Sequence, residues 1–252
     1  MIIYISCAKI MTGNNTQALS FATEPKFQLQ ANENAVQMAA YSPTQLKELL
    51  KTNADIAREN WSRYQHFFDL ENKREPAVFS YDGMVFQKLA PESFSKEELL
   101  YTNQHLLIAS FLYGLLRPLD LIKKYRLEGN VPLPENKGKS MFDYWKPILT
   151  DYFIEQIKAD DGILVNLASD EMKNLVDWKK VAKEVKIVTP EFHIIKDGKK
   201  KTIVIYTKMC RGAMTRYILK NRITNPEELK TFEFEGFRWN PESKGFEFLL
   251  EA

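Results

Sequence analysis

Residues 110–128 read SFLYGLLRPLDLIKKYRLE, with glycine at position 114 and proline at position 118. Glycine is common where a helix ends and proline where one begins, so the stretch predicts a helix, a tight turn and a second helix. The backbone N–H groups that start the second helix would be free to bind phosphate. Cations lie beside the turn, at Arg117, Lys123, Lys124 and Arg126. The pattern favours a helical hairpin that grips a nucleic-acid backbone, although the same signals occur at ordinary helix corners.

The charge of the chain is distributed unevenly. The 252 residues carry a formal net charge of +2. Residues 172–222 alone hold 14 Lys and Arg against 4 Asp and Glu, a local charge of +10, so the rest of the chain carries −8. Concentrated positive charge is typical of proteins that bind polyanions.

Several classes of protein fit this composition poorly. The two cysteines and three histidines do not occur at the spacings of metal ligands, so we expect neither a metal site nor a cofactor. The apolar run over residues 1–5 is too short for a signal peptide, and no later segment approaches a membrane span. We therefore expect a cytoplasmic protein with no membrane partner.

Apolar runs predict two buried strands, over residues 2–6 and 163–168, and a helix over 170–184 that follows the second strand. Capping and turn signals predict further helices from Ser42 towards Phe67, from Ser95 to Gly114 and over 211–222, and hairpins around 82–83 and 196–198. The outer side of the last hairpin is rich in lysine.

A second group of cations lies between residues 208 and 220. Lys208 and Arg211 are placed where a strand is predicted to pass into a helix, and clefts of α/β proteins usually open at such junctions. Arg216 and Lys220 are four residues apart, so they share one face of that helix. We expect these side chains to contact phosphates; the alternative is a solvated basic face.

Asp170 and Glu171 follow the second predicted strand. Carboxylates at the end of a strand can form a catalytic or metal-binding pair. They can also belong to the start of the next helix, where Ser169 or Asp170 would cap it and Glu171 would complement its positive end. The capping interpretation is the favoured one. Lys9, just after the first strand, is either a cleft cation or a surface lysine.

Cys210 lies between Lys208 and Arg211, whose charges could stabilise a thiolate that reacts with peroxide. Free cysteines are usually buried and unreactive, and that is the favoured interpretation here.

Five blocks in order along the chain resemble the YaaA family of bacterial peroxide-stress proteins. They are Ser6–Lys9, Leu112–Asp120 with Tyr125–Glu128, Asn166–Glu171, Arg211–Tyr217 and Glu235–Phe237. The resemblance implies a single compact mixed α/β (α+β) domain over residues 1–252, with a central mixed sheet surrounded by helices. It also implies a helix-hairpin-helix element, a basic cleft, and DNA binding in the oxidative-stress response. No catalytic activity comes with it.

We expect a protein that binds double-stranded or structured DNA mainly through the phosphate backbone, without strong sequence specificity. The expected contacts are Lys9, Tyr113, Gly114, Arg117, Lys123, Lys124, Arg126, Lys208, Arg211, Arg216 and Lys220. The alternative is an enzyme that acts on a nucleic acid or a small phosphorylated or anionic substrate in the same cleft, with carboxylates from Glu128, Asp170 and Glu171. The sequence assigns no catalytic residue. A protein that limits free iron would need carboxylate or histidine clusters, which the spacing does not reveal.

Overall fold

The structure, a computed structural model, describes residues 1–13 and 19–251. The α-helices are α1 (Gln28–Ala39), α2 (Pro43–Leu49), α3 (Ala54–Gln65), α4 (Ala77–Ser80), α5 (Met84–Leu89), α6 (Lys96–His105), α7 (Met141–Lys158), α8 (Trp178–Glu184) and α9 (Val204–Asn221). The strands are β1 (Ile2–Ile5), β2 (Ile10–Met11), β3 (Glu75–Pro76), β4 (Tyr81–Asp82), β5 (Leu106–Ser110), β6 (Gly114–Leu116), β7 (Leu121–Ile122), β8 (Ile163–Asn166), β9 (Lys186–Val188), β10 (Glu191–Lys196), β11 (Lys199–Lys201), β12 (Arg238–Trp239) and β13 (Glu247–Glu251). Short 3₁₀ helices lie at Pro91–Ser93, Pro134–Asn136, Asp170–Leu175 and Pro226–Thr231.

A five-stranded sheet forms the centre of the fold, in the order β6-β5-β1-β8-β9. Strands β5, β1, β8 and β9 are parallel, and β6 is antiparallel to β5. Ile3 pairs with Leu106 on one side and with Val165 on the other. Every residue of β1 is buried, as expected of a strand covered on both faces. The two buried strands predicted from apolar runs are confirmed.

A second sheet has the order β11-β10-β13-β12. The predicted hairpin around Asp197 and Gly198 is confirmed, and both residues have positive φ values, as a tight turn between strands requires. Phe192 of β10 stacks on Phe248 of β13 with ring centroids 5.4 Å apart. The apolar face of this sheet is thus covered, while the hairpin residues from Lys196 onwards are exposed.

Helix α9 packs against both β10 and α5. At the crossing with α5, Gly212 brings the two backbones together, because a Cβ at that position would lie 2.2 Å from the carbonyl oxygen of Val85. Glycine there allows the close approach that fixes α9 in place.

The prediction of a helix, a tight turn and a second helix over residues 110–128 is wrong. The chain forms β5, a tight turn and β6, with Ser110 paired to Gly114. The hydroxyl of Ser110 accepts a hydrogen bond from the Tyr113 N–H at 2.9 Å, and Gly114 has a φ of +73°. A strand buried on both faces is uniformly apolar, so it lacks the alternation that would have distinguished it from a helix.

Other boundaries also differ from expectation. In place of the hairpin predicted around residues 82–83, the chain forms α4, the short strand β4 and α5. The helix predicted from Ser42 is divided into α2 and α3, since Lys51 has a φ of +47° and Asn53 caps α3. Helix α9 begins at Val204, seven residues before the helix predicted over 211–222.

The molecule is a mixed α/β structure with a central mixed sheet and surrounding helices, as the sequence predicts. Within residues 1–13 and 19–251, no helix is both long and apolar enough to cross a membrane. The division into domains stays a prediction.

Candidate functional site

The carboxyl ends of β1 and β8 lie side by side in the middle of the central sheet. From β1 the chain passes to β5 on one side, and from β8 it passes to β9 on the other. The strand order reverses at this point, and open α/β sheets usually bind ligands at the carboxyl ends of the strands beside such a reversal. The hydroxyl of Ser6 accepts a hydrogen bond from the Ser169 N–H at 2.9 Å and lies 3.2 Å from the Ser169 hydroxyl, so the loops that follow β1 and β8 are joined at this point.

Cations and carboxylates lie near these strand ends. Glu128 lies between two cations, with one oxygen 2.8 Å from Lys9 Nζ and the other 3.2 Å from Arg126 Nη2. The Glu128 side chain is 16% exposed and that of Lys9 is 64% exposed, so the lysine lies at the outer side. Glu128 thus neutralises charge that would otherwise face a polyanion.

Asp170 forms the second part of the group. Lys173 lies 2.7 Å away and, with a smaller contribution from Arg211, holds the pKa of Asp170 below its usual value. Burial lowers the pKa of the Arg211 guanidinium, and the charge of Asp170 offsets part of that effect. The buried Nε of Arg211 has no hydrogen-bond partner among the described residues. We call Lys9, Arg126, Glu128, Asp170, Lys173 and Arg211 the strand-end cluster.

Cys7 lies behind this cluster. Burial raises the pKa of its thiol to about 12, and the nearby charges of Glu128 and Glu171 add to the shift. Burial likewise raises the pKa of Cys210 to about 12. The buried interpretation of Cys210 is confirmed, since its side chain has no exposed surface. Neither thiol is arranged to ionise near neutral pH.

Two of the expected DNA contacts lie in the interior. Tyr113 is 1% exposed, and its hydroxyl accepts a hydrogen bond from the Lys123 N–H at 2.9 Å. Gly114 packs against the indole of Trp145, which would lie 2.8 Å from a Cβ at that position. The tight turn is therefore a packing feature, and both residues are buried.

The cations that follow this turn bond to the protein itself. The ammonium groups of Lys123 and Lys124 donate to the backbone carbonyls of Phe67 and Thr12, respectively. Arg117 is exposed, and its guanidinium donates to Gln156 Oε1 at 2.7 Å. Of the three, only Arg117 keeps an exposed side chain.

Arg216 and Lys220 share a face of α9, as predicted, but this face is turned to α5 and α6. The Arg216 guanidinium donates to the carbonyl oxygens of Leu89 and Ala90 at 3.1 Å each and to Ser93 Oγ at 2.7 Å. Lys220 lies 2.6 Å from Glu98, a contact that lowers the pKa of that carboxyl. These two cations stabilise the junction between helices.

Lys208 and Arg211 lie within α9 rather than at its start, because the helix begins at Val204. They are three residues apart and share a face, with Thr215 one turn further on. Lys208 is exposed, whereas Arg211 is partly buried near Asp170. Helix α9 therefore begins after the β10–β11 hairpin, reaches Asp170 of the strand-end cluster at Arg211 and continues to Asn221.

The hairpin carries cations that were not among the expected contacts. In its register, Lys196 faces Lys199 and Ile194 faces Lys201, so these lysines lie on the same side of the hairpin as buried Ile194. All three are exposed. We call Lys196, Lys199 and Lys201 the lysine ribbon. The sequence predicted lysines on the outer side of the hairpin, whereas the register puts these three on the side of buried Ile194.

Two of the cavities in the described part of the chain lie outside the strand-end cluster. The larger, about 370 Å³, lies beside α5 and is lined by Phe86 and Phe94, and none of the expected contacts lines it. The other, about 270 Å³, is lined by Tyr113 and Lys123 together with Arg74. Burial lowers the pKa of Lys123, and the nearby charge of Arg74 lowers it further. Neither cavity contains the strand-end cluster.

The spacing of histidines and carboxylates gave no sign of a metal site, but the second sheet brings three such residues together. Glu191, His193 and Glu247 offer ligand atoms that all lie within 4.8 Å of one another. Glu191 pairs with Glu247 across β10 and β13, strands that are far apart in the sequence. Only the strand pairing reveals this group.

Comparison with known proteins identifies the family. Residues 1–243 match the family described as "Peroxide stress protein YaaA". The chain belongs to the YaaA family. A UPF0246 protein of Bacteroides fragilis is 54% identical over 240 residues, which are 95% of this chain and 93% of that protein. UPF0246 proteins of Porphyromonas gingivalis and Hahella chejuensis are 44% and 36% identical, over 96% of this chain in both cases and over 95% and 94% of their own lengths.

Residues from four of the five blocks lie close together in space. Ser6 bonds to Ser169, Lys9 pairs with Glu128, and Arg211 of α9 lies near Asp170. Distant parts of the chain therefore meet at the ends of β1 and β8.

Proposed function

We propose that this protein binds DNA through the phosphate backbone, without strong sequence specificity, in the response to peroxide stress. The contacts in this proposal come from the lysine ribbon and Lys208. The link to peroxide rests on the family description.

The observation that carries the proposal is a set of exposed, uncompensated cations. Within residues 1–13 and 19–251, Lys196, Lys199 and Lys208 have no carboxylate within 4.0 Å. Lys201 Nζ lies 4.0 Å from Asp197 Oδ2, which is the outer limit of an ion pair. Lysines that are already free of partners can bind phosphate without first breaking an ion pair, and they release counterions from DNA when they do so.

The strand-end cluster fits a polyanion less well. Its four cations face Glu128 and Asp170, and Glu171 adds a third carboxylate beside Cys7. The charge there is close to balanced, so the cluster attracts DNA weakly compared with the ribbon. In the proposed complex, the cluster adds only Lys9, whose side chain is exposed.

The absence of sequence specificity follows from the chemistry of the side chains. Lysine ammonium groups act as point charges that contact phosphate oxygens, whereas base recognition depends on forked or bidentate groups in a groove. The guanidinium groups of Arg126, Arg211 and Arg216 are turned towards the protein interior or its ion pairs.

Fluorescence anisotropy with labelled duplexes of unrelated sequence tests the proposal. We expect dissociation constants that agree within about threefold between duplexes, and a logarithmic salt dependence with a slope of roughly −3 to −4, near 0.9 per phosphate contact. A strong preference for one sequence, or binding that does not change with salt, would remove the phosphate-backbone proposal.

A second candidate is an enzyme that acts on a small phosphorylated or anionic substrate at the strand-end cluster. The observation in its favour is the position of Arg211 near Asp170, just after β8, where the buried Nε of Arg211 has no partner among the described residues. Orphaned donors of this kind are satisfied when an anion binds. Thermal stabilisation by nucleotides or inorganic phosphate, lost on Arg211→Met and kept on Lys199→Glu, would favour this candidate over DNA.

A further inference from the structure

We propose that Glu191, His193 and Glu247 form a site for a divalent transition-metal ion of the zinc class. The site lies on the second sheet, on the side of the hairpin opposite the lysine ribbon. It is independent of the proposed DNA contacts, because none of its three ligands belongs to them.

The strand geometry places the ligands together. Glu191 and His193 are two residues apart on β10, so their side chains point to the same face, and Glu247 on β13 is the direct partner of Glu191. His193 Nε2 lies 3.6 Å from Glu191 Oε2 and 3.8 Å from Glu247 Oε1. These separations are too long for good hydrogen bonds. They approach the roughly 3.4 Å between two ligands of one tetrahedral ion with bonds of about 2.1 Å.

The imidazole is oriented for ligation. His193 Nδ1 lies 2.9 Å from the hydroxyl of Thr202, its cross-strand neighbour. When Nδ1–H donates to this hydroxyl, the lone pair of Nε2 faces the two carboxylates. A partner on the second ring nitrogen is the usual companion of a metal-bound histidine, since it fixes the tautomer and the ring orientation.

Glu247 is also held in place. Its side chain is 12% exposed, and its Oε2 accepts a hydrogen bond from Asn240 Nδ2 at 2.8 Å. The Lys200 ammonium contacts Oε1, the oxygen that faces His193. Lys200 is half exposed, and ion pairs of exposed lysines are weak, so a divalent ion can displace it. Lys200 is thus the competitor of the ion for Glu247.

The donor set selects the class of ion. One imidazole nitrogen with two carboxylate oxygens suits Zn²⁺, Co²⁺, Ni²⁺ or Fe²⁺. Mg²⁺ and Ca²⁺ favour six or more oxygen ligands and little nitrogen. Glu191 is largely exposed, which leaves room for water to complete the coordination.

Isothermal titration of the tag-free full chain with ZnCl₂, in a buffer that does not chelate metals, tests the proposal. We expect one equivalent to bind, at least tenfold weaker binding after His193→Gln or Glu247→Gln, and several-fold tighter binding after Lys200→Ala because the competing cation is removed. His66→Gln is the matched control, since His66 is a surface histidine beside a single carboxylate, Asp69. It should leave the titration unchanged, and MgCl₂ should give no comparable heat.

Equal zinc affinity in the wild type and His193→Gln, or no gain after Lys200→Ala, would overturn the site. Should the His193 or Glu247 variants fail to fold by circular dichroism, Lys200→Ala still decides the question. Co²⁺ then gives a second measurement on the wild type: a visible absorption band that one equivalent of Zn²⁺ abolishes supports the site, and its absence contradicts it.

Discussion

The strand-end cluster and the lysine ribbon both contain cations, but they use them differently. At the strand ends, Lys9 and Arg126 share Glu128, and Lys173 contacts Asp170. On the ribbon side, Lys196 and Lys199 have no such partners among the residues whose structure is described. Net charge therefore does not locate a polyanion surface by itself. The pairing of each cation in the folded chain decides which of them remain available.

The segment 172–222 illustrates the same distinction within one stretch of chain. Its local charge of +10 is divided between cations that hold the fold together, such as Arg216, and cations that stay exposed, such as Lys208. Helix α9 carries both kinds on different faces. Substitutions of single residues distinguish the two kinds of cation.

Replacing Gly212 by alanine should have the largest effect, because it separates α9 from α5. The new Cβ would lie 2.2 Å from a backbone oxygen, which cannot move aside as a flexible side chain would. We expect the free energy of unfolding to fall by about 3 kcal/mol, measured by urea denaturation. Gly245→Ala is the control, because the nearest atom to its added Cβ is 4.0 Å away. Equal stability of the two variants would contradict the packing described for α9.

Arg216→Ala should come next in size. The substitution leaves the carbonyl oxygens of Leu89 and Ala90 without their charged donor, which should lower the free energy of unfolding by about 2 kcal/mol. Urea denaturation measures this loss. DNA affinity should stay unchanged, since this guanidinium is bonded to the protein at Leu89, Ala90 and Ser93.

Arg238→Ala is the matched control for Arg216. Arg238 is 72% exposed and lies 3.6 Å from Glu233, so its loss should alter stability by less than about 0.5 kcal/mol. If Arg216→Ala weakened DNA binding while leaving stability intact, Arg216 would belong with the free cations.

The sequence predicted elements with a local signature and missed those that depend on distant partners. Strands β1 and β8 were predicted because continuous apolar runs are typical of buried parallel strands. The same property misled the interpretation of residues 110–128. The role of Arg216 could not be predicted, since its partner Leu89 lies 127 residues away in the chain. The group of Glu191, His193 and Glu247 was missed for the same reason.

Asp120 provides a smaller effect, which depends on pH. Burial raises the pKa of Asp120 to about 6, although Thr23 Oγ1 and the Arg117 N–H both donate to it at 2.7 Å. The folded state therefore binds the proton more tightly than the unfolded state, whose pKa is near 3.8. Stability from this group is present at low pH and is lost as the pH rises through about 6.

The expected contribution of Asp120 is a gain of about 1 kcal/mol in the free energy of unfolding between pH 7 and pH 5. Asp120→Asn should remove this gain, because asparagine does not titrate. Urea denaturation of both proteins at the two pH values measures the difference, and parallel curves would show that Asp120 does not titrate there.

Replacing Cys7 and Cys210 by serine should have the smallest effect on DNA binding, namely none. With thiol pKa values of about 12, only about one molecule in 10⁵ carries a thiolate at pH 7. Hydrogen peroxide should oxidise either thiol slowly, as followed by free-thiol titration of the wild type. Rapid oxidation accompanied by a change in DNA affinity, both abolished in the double variant, would establish a redox role.

The salt dependence of DNA binding, measured after charge reversal at two ribbon lysines and Lys208, distinguishes the exposed cations from the strand-end cluster. Changing Lys196, Lys199 and Lys208 to glutamate should weaken every duplex at least tenfold at about 100 mM salt and reduce the logarithmic salt slope by about three. The strand-end variant Lys9→Gln with Arg126→Gln should change the slope by less than one. Charge reversal at Lys179 and Lys183, exposed lysines of α8, should have no effect. If the variant of Lys196, Lys199 and Lys208 kept the wild-type affinity and salt slope, these lysines would not be the contacts to phosphate.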